Sequence, residues 1–563
     1  MAPVAATDYI ADLGKPEPAW RIADPSCRRN FAVETVRRAH PGLVLLVAIA
    51  VLALVAGGLS LVGRLGAPPA KGPVAVATGA SSAPVAVATD TPEEADACPT
   101  DPDATDADAA GPGAQEGCLG DPDELSAGKR SSAKVEADVI GATGQGKPVN
   151  APAAPTSGFS PQVRLGYTVG DQWEPSIAAD RFGHVYMLYA QYGGVPGCSA
   201  CLSPTQVFQM SSDHGATWSA PRQFDVGKQG WDSQMVVDPV DGRTVWAAWL
   251  AERKSDIVVA KSTDFGATWT EWIVDATNAG TDKPILAVRG QNAYVAYDHT
   301  QTVWVSSTHD GGNSWTAVKA NSTSGNGTVG WSLPGGGTVA PNGDVHFAWA
   351  GYTQNGGAKG PVTLYMGTSR DGGKTWSQKT IDVSGTPPDC SADLCGWAFL
   401  GAQMTMASDS GGSLYALWNA SAQGTKEAPE RTWFSKSTDG GRTWSAKADV
   451  STAAQSVAHA FPAIVAGAAG DVRIAWMDAR APGGSLWNVY YRTSTNGGAS
   501  WSSELDISSY ASGYSYIQPA GFEYPFGDYF ELAIDEQGTT HAVFGEGLNY
   551  DSPGSVWYTR GKP

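Results

Sequence analysis

Ser437-Thr-Asp-Gly-Gly-Arg-Thr-Trp444 decides how the rest of the chain is read, because the stretch occurs in six variants. The others are SSDHGATW (Ser211 to Trp218), STDFGATW (Ser262 to Trp269), THDGGNSW (Thr308 to Trp315), SRDGGKTW (Ser369 to Trp376) and STNGGASW (Ser494 to Trp501). Each position has a mechanical role. The central Asp or Asn accepts backbone N–H bonds in a tight turn, a Gly tolerates positive φ, a hydroxyl bonds locally, and the closing Trp anchors the turn in the core. Aligned on Asp213, Asp264, Asp310, Asp371, Asp439 and Asn496, the copies lie 51, 46, 61, 68 and 57 residues apart. That is the period of a propeller blade with some long loops, and it describes an array rather than one active site.

Between the copies the composition is that of strands. The 563 residues include 68 Gly and 21 Trp among frequent Val, Thr and Tyr, and helix signals are almost absent after residue 63. Each unit opens with a strand running into a D-x-x-G turn, as in Glu174-Pro-Ser-Ile-Ala-Ala-Asp180, followed by a Val/Tyr/Trp strand such as His184-Val-Tyr-Met-Leu-Tyr189. A third strand leads into the eight-residue turn and a fourth follows its Trp. Second strands recur from Thr244-Val-Trp-Ala-Ala-Trp249 to Thr540-His-Ala-Val-Phe544, seven in all against six turns. The last unit ends at Ser555-Val-Trp-Tyr-Thr559 without a fourth strand, and residues 161 to 169, PQVRLGYTV, have the character of that missing strand at the other end of the chain. Pairing the two closes the ring and removes an exposed sheet edge. The expected fold is therefore all-β, a seven-bladed β-propeller over 161–563, with six blades as the alternative.

The repeated turn is the Asp-box, and residues 161 to 563 resemble the Asp-box (BNR repeat) propellers typified by bacterial sialidases. The resemblance implies that each box closes the hairpin between third and fourth strands, on the face away from the substrate. It implies for function an exo-sialidase-like glycoside hydrolase that holds its substrate carboxylate with three arginines and uses an Asp acid/base with a Tyr–Glu nucleophile pair. The sequence departs from that pattern. Where the family carries an F/Y-R-I-P motif, this chain has Gln172-Trp173-Glu174-Pro175-Ser176, with Trp173 at the arginine position, and only Arg253 and Arg480 recommend themselves as face arginines. The arginine triad is not assignable.

In such a ring the starts of the first strands and the turns between second and third strands share one mouth. These positions supply Trp173, Trp231, Asp232, Arg253, Asp282, Asp478 and Arg480 as ligand-binding candidates. Glu174 and Asp528, on adjacent units of the closed ring, are the candidate acid and base or nucleophile, with Tyr529 beside them. Crowded like charges would raise the carboxylate pKa values. The alternative is that the carboxylates cap turns or pair with Arg253, Arg480 or Lys283. Two functions follow from the same face: hydrolysis or binding of a glycan, or non-catalytic binding of a protein or cell-envelope ligand. No cofactor and no metal is expected.

The N-terminal third has another character. Arginines and Lys15 precede Leu43 to Val62, twenty uncharged apolar residues, enough to cross a bilayer core of about 30 Å. The division expected is a cytoplasmic tail (1–41), a transmembrane signal-anchor (42–63), a disordered Ala/Pro/Asp-rich tether (64–160) and an extracytoplasmic propeller at the cell membrane. Secretion after cleavage is the alternative, since Arg28-Arg29-Asn-Phe31 resembles a twin-arginine motif and Ala75-Val-Ala77 a cleavage site. Between Asp90 and Asp138 there are 14 acidic and 3 basic residues, so the tether holds most of the net charge of −19. That charge argues against a nucleic-acid partner. Six cysteines fall outside the expected membrane in short-range pairs, Cys98 with Cys118, Cys198 with Cys201 and Cys390 with Cys395, which reads as local disulfides in an oxidising compartment.

Overall fold

The computed structural model describes residues 158–562 except 168–170, 225–226, 277–279, 300–301, 322–330, 353–359, 387–400, 481–486, 509–528 and 547–554. The apolar run at 43–62 and Asp528 lie outside the described residues. So do Cys98, Cys118, Cys390 and Cys395, which places the expected disulfides Cys98–Cys118 and Cys390–Cys395 outside them as well. Of the three expected pairs, Cys198–Cys201 falls within the described residues, and it is formed. Among the described residues no helix is long and apolar enough to cross a membrane.

Seven four-stranded antiparallel sheets follow one another along the chain. Blade 1 is Asp171–Ala179, Val185–Tyr192, Thr205–Ser211 and Arg222–Gln223, and blades 2 to 6 repeat that order, their first strands being Gly230–Val237, Thr281–Arg289, Trp331–Val339, Met404–Ser408 and His459–Ala466. Blade 7 comprises Glu531–Ile534, Thr540–Glu546 and Ser555–Gly561, and its outer strand is Val163–Arg164 from the start of the domain. Val163 pairs with Tyr558 and Arg164 with Trp557, so the expected closure is present with a ladder of two residues. Phe159 bridges Gly561 and is buried in the core of blades 6 and 7, so packing begins two residues before the boundary at 161. Each first strand packs on the next, and those of blades 1 and 7 meet.

The burial gradient across a blade explains its sequence. Second strands are covered on both faces by neighbouring blades: Val245-Trp-Ala-Ala-Trp-Leu-Ala251 is buried throughout, as is Val472-Arg-Ile-Ala-Trp-Met-Asp478. Each buried Leu- or Phe-sized side chain there contributes about 1.5–3 kcal/mol. Outer strands such as Thr270–Ala276 are mostly exposed and correspondingly polar.

All six boxes form the hairpin between third and fourth strands. In box 5, Asp439 Oδ1 accepts the Thr443 N–H at 2.9 Å and Ser437 Oγ accepts the Gly441 N–H at 2.9 Å. In box 6, Asn496 Oδ1 takes the same bond from Ser500 at 2.9 Å. The side-chain and backbone bonds from Thr443 hold the Asp439 carboxyl well below its usual range. The turn requires positive φ at its last glycine, and at Gly498, φ +79°, the previous blade adds a second constraint, since an added Cβ would stand 2.3 Å from the Phe434 ring.

Candidate functional site

The mouth opposite the boxes is built by irregularities in the first strands. In blade 1 Trp173 pairs with Ala190 and Ser176 with Leu188, so Glu174 and Pro175 together oppose one residue. The same bulge places Asp232 and Ser233 in blade 2, Lys283 and Pro284 in blade 3, and Phe461 and Pro462 in blade 6. Glu174, Asp232, Lys283 and Phe461 all take left-handed backbone, with φ of 52°, 50°, 51° and 52°. A bulge re-aims a side chain, and proline is tolerated there because no ladder donor is required. The left-handed region costs a non-glycine residue roughly 1 kcal/mol or more. Ten described non-glycine residues adopt it; His214 and Phe265 sit in boxes, and the remaining eight, including the consecutive Glu252, Arg253 and Lys254, stand in first-strand bulges or in turns between second and third strands.

The bulges bring three blades to one point. Lys283 Nζ stands 3.3 Å from Glu174 Oε1 and 3.4 Å from Asp232 Oδ1. Blade 7 adds Tyr529, whose ring centroid is 4.6 Å from the same ammonium and whose hydroxyl donates to Ser233 O at 3.0 Å. Glu174 and Asp232 are 3% exposed and Lys283 8%. Burial pulls the Asp232 carboxyl up, but Lys283, Lys254 and a hydrogen bond with Glu174 outweigh it and leave the value below normal. The expectation that crowding raises this carboxylate is thus corrected for Asp232, and the alternative of pairing with Lys283 is the one observed. One ammonium thus serves two buried carboxyl groups, Glu174 and Asp232.

The other mouth candidates have separate surroundings. Asp282 faces Lys254 Nζ at 3.7 Å, and Lys254 O accepts both the N–H and the hydroxyl of Thr281, which pins the left-handed turn to blade 3. Arg253 is exposed on that turn. Trp173 and Trp231 are 0% and 3% exposed within the core shared by blades 1 to 3, Trp173 packing on Tyr192 at 4.8 Å, so their rings face protein rather than the mouth. Arg480 is engaged within blade 6: it bonds Asp478 and Glu504, donates to Ser451 Oγ at 3.1 Å and lies 3.8 Å over the Tyr490 ring. Asp478 also accepts from Trp476 Nε1 at 2.9 Å. Asp528 lies outside the described residues.

One residue without a sequence assignment belongs to the same region. Glu531 lines a central channel of about 780 Å3 enclosed by the first strands. It accepts from Ser176 Oγ at 2.6 Å, Ile177 N at 3.1 Å and Gln234 Nε2 at 2.7 Å, joining blades 7, 1 and 2. Burial pushes its carboxyl up to about 7 against those donors. Lys283, at the centre of the cluster, was recoverable from the repeated residue-Pro pair near strand starts: Glu174-Pro175, Lys283-Pro284 and Phe461-Pro462. Nothing comparable marks Glu531.

Residues 161–388 match the BNR repeat-like domain family. No curated protein matches significantly. Similar solved structures include a Hadza microbial sialidase, Hz136, at 13% identity over 70% of this chain and 66% of that one, just under two thirds of its length, with a TM-score of 0.39. A polysaccharide lyase of family PL25, an ulvan lyase, is 10% identical over 70% of this chain and 95% of that one, with a TM-score of 0.42. YCF48 bound to a D1 peptide is 14% identical over 73% and 99%, with a TM-score of 0.38. None of these likenesses assigns a reaction to this chain.

Proposed function

Starting from an Asp-box (BNR repeat) β-propeller of sialidase-like fold, we propose that the mouth formed by blades 1, 2, 3 and 7 recognises a glycan. The observation that carries this reading is the convergence of Glu174, Asp232, Lys283 and Tyr529 on left-handed or adjoining backbone. Glu174, Asp232 and Lys283 are nearly buried, so the group serves as a rigid charged floor that fixes the shape and field of the mouth beside the channel, and its backbone cost has no evident return in packing.

Recognition is better supported than hydrolysis. Catalytic carboxyls of glycosidases straddle the bond, about 5–5.5 Å apart in retaining enzymes and 6.5–9.5 Å in inverting ones. Glu174 and Asp232 are instead both engaged by the one Lys283 ammonium, at 3.3 and 3.4 Å, which holds them as a charge-paired unit. Turnover would need a second carboxyl across the mouth, for which Asp528 is the sequence candidate. The chain is further proposed to be held at the cell membrane by residues 43–62 with the propeller outside. The formed Cys198–Cys201 disulfide supports an oxidising location for the propeller.

The test is a glycan array and a glycosidase-substrate panel on the purified full-length protein, beside Glu174→Gln and Asp232→Asn. Glycans retained by the parent should be lost by both variants, and equal retention by all three proteins would move the ligand site elsewhere. Protease shaving of intact cells should release the propeller; its survival while lysate controls are digested would reject the topology.

A further inference from the structure

We propose that the seam between blades 7 and 1 carries a binding site for one divalent transition-metal ion of the zinc type, ligated by His214, Asp535 and Glu536 with His541 adjoining. The seam lies on the box face, away from the mouth, and joins the first blade to the blade that closes the ring through Val163–Arg164 and Phe159.

His214 belongs to the box of blade 1, at the position after the central Asp. Four of the other boxes have glycine there, Gly311, Gly372, Gly440 and Gly497, whereas His214 sits at φ 58°. The turn does not need an imidazole, and the left-handed backbone disfavours one, so the side chain requires its own explanation. It points across the seam to the turn between the first and second strands of blade 7. There Asp535 Oδ1 accepts the Gln537 and Thr539 N–H groups at 3.0 and 2.7 Å, which leaves Oδ2 directed at the imidazoles.

Both distances from His214 fit the edges of a coordination polyhedron, and the three ligand atoms lie within 4.8 Å of one another. His214 Nδ1 is 3.4 Å from Asp535 Oδ2 and 3.4 Å from Glu536 Oε1. For a tetrahedral ion with bonds of about 2.0–2.1 Å, neighbouring ligand atoms lie about 3.3–3.4 Å apart. His541 Nε2, on the second strand of blade 7, is 3.3 Å from Asp535 Oδ2 and adjoins the three ligand atoms, leaving the fourth position to water. As hydrogen bonds these contacts fail: His214 Nδ1, Asp535 Oδ2 and His541 Nε2 are buried without an aligned partner, with Asp535 5% and His541 0% exposed. What sets these apart is that His214 Nδ1 and Asp535 Oδ2 converge with Glu536 Oε1 on one point, where a single ion would satisfy them together.

The surroundings suit ligation. The Gln537 side-chain amide lies 2.9 Å from His214 Nε2, and its oxygen can take the N–H there, which leaves the Nδ1 lone pair facing the carboxylates. Tyr558 OH stands 2.8 Å from His541 Nδ1 and orients that ring likewise. Imidazole with carboxylate favours zinc and its transition-metal neighbours over calcium or magnesium, which take all-oxygen shells. Glu536 is the most exposed of the carboxylates and gives an ion its way in. Bound there, the ion would tie the first blade to the last.

The full-length protein, stripped with EDTA and dialysed against micromolar Zn2+, should retain one seam ion per chain by elemental analysis. Its melting temperature should rise by a few degrees at free Zn2+ about 100-fold above Kd. His214→Asn keeps a residue that tolerates left-handed backbone, and Glu536→Gln changes only a partly exposed carboxylate, so both variants should fold. Each should bind one ion fewer than the parent and lose the thermal shift. If the parent retains no zinc, the proposal is overturned. Equal retention by parent and variants, with zinc held at cysteines or elsewhere, overturns it as well.

Discussion

Replacing Lys283 by Met keeps the side-chain stem and removes the one ammonium that lies within 3.4 Å of both Glu174 and Asp232. With both acids 3% exposed, the charge left behind has little access to water. Breaking a buried ion pair by deleting one partner typically costs about 3–5 kcal/mol, equivalent to a melting-temperature loss of roughly 4–6 °C in a domain of this size. The cost is also pH-dependent, and its sign is fixed. In the parent, the Asp232 carboxyl lies below its ordinary 3.8, so its contribution is present above that pH and is lost as pH falls through the folded value. In Lys283→Met the same carboxyl is buried without its cation and its folded pKa rises, so protonation relieves the defect. The deficit relative to the parent should therefore be largest near pH 8 and shrink toward pH 5 in thermal unfolding of the full-length proteins. Adding Asp232→Asn to Lys283→Met should restore most of the loss, since the pair is then absent rather than broken. A single variant melting within about 1 °C of the parent at pH 8, or a deficit that grows on acidification, would refute the placement of Lys283 as the counter-ion.

Three further outcomes are expected. Gly498→Ala puts a Cβ 2.3 Å from the Phe434 ring at φ +79°, and the strain and overpacking should together lower stability by about 2–4 kcal/mol; unfolding within 0.5 kcal/mol of the parent, read from denaturant titration, would mean the blade interface is looser than described. Asp439→Asn should melt closer to the parent than Asp439→Ala, because Asn496 already serves its box with the same Oδ1 bond, and the reverse order would contradict the turn's hydrogen-bond logic. Glu531 is held up to about 7 from 4.5 by burial, so the folded state keeps a proton that the unfolded state releases: stability should fall by up to about 3 kcal/mol as pH rises from 4.5 to 7 and level off above. Glu531→Gln should flatten that slope, and an unchanged slope would assign the titration to another group.

The parts of this protein legible in the sequence are those whose cause is local. Asp439 needs only the next few residues to make its turn, so six copies of that chemistry give the hairpins, and seven apolar second strands against six boxes give the number of blades. Even closure is local in this sense, because Val163-Arg164 can be recognised as a strand without a blade of its own. At the mouth the positions of Glu174, Asp232 and Lys283 were legible, since each stands at the start of a first strand, but the sign of their interaction was not. It depends on which way each side chain points, and a strand read by its period of two gives the wrong answer after a bulge. The inserted residue turns Glu174 toward Lys283 and leaves its neighbour Trp173 in the blade core, the opposite of what an indole at a binding mouth would do.

The two ends of the ring show the same division between backbone and side chain. A box explains why residue 214 has left-handed backbone, and four glycines at the equivalent position explain why most boxes stop there. It does not explain an imidazole. Asp535 is similar, since its turn uses Oδ1 and leaves Oδ2 unbonded. A repeat grammar accounts for the atoms that every blade shares, and the atoms it leaves over, at Lys283 on one face and His214 on the other, are where this chain differs from a generic propeller. Both lie where blades from opposite ends of the sequence meet, Tyr529 of blade 7 reaching Lys283 on one side and Asp535 of blade 7 reaching His214 on the other. Ligand occupancy at either face should therefore be coupled to ring closure: an agent that opens the two-residue ladder of Val163–Arg164 would weaken both sites together, whereas a change inside blade 4 would leave both intact.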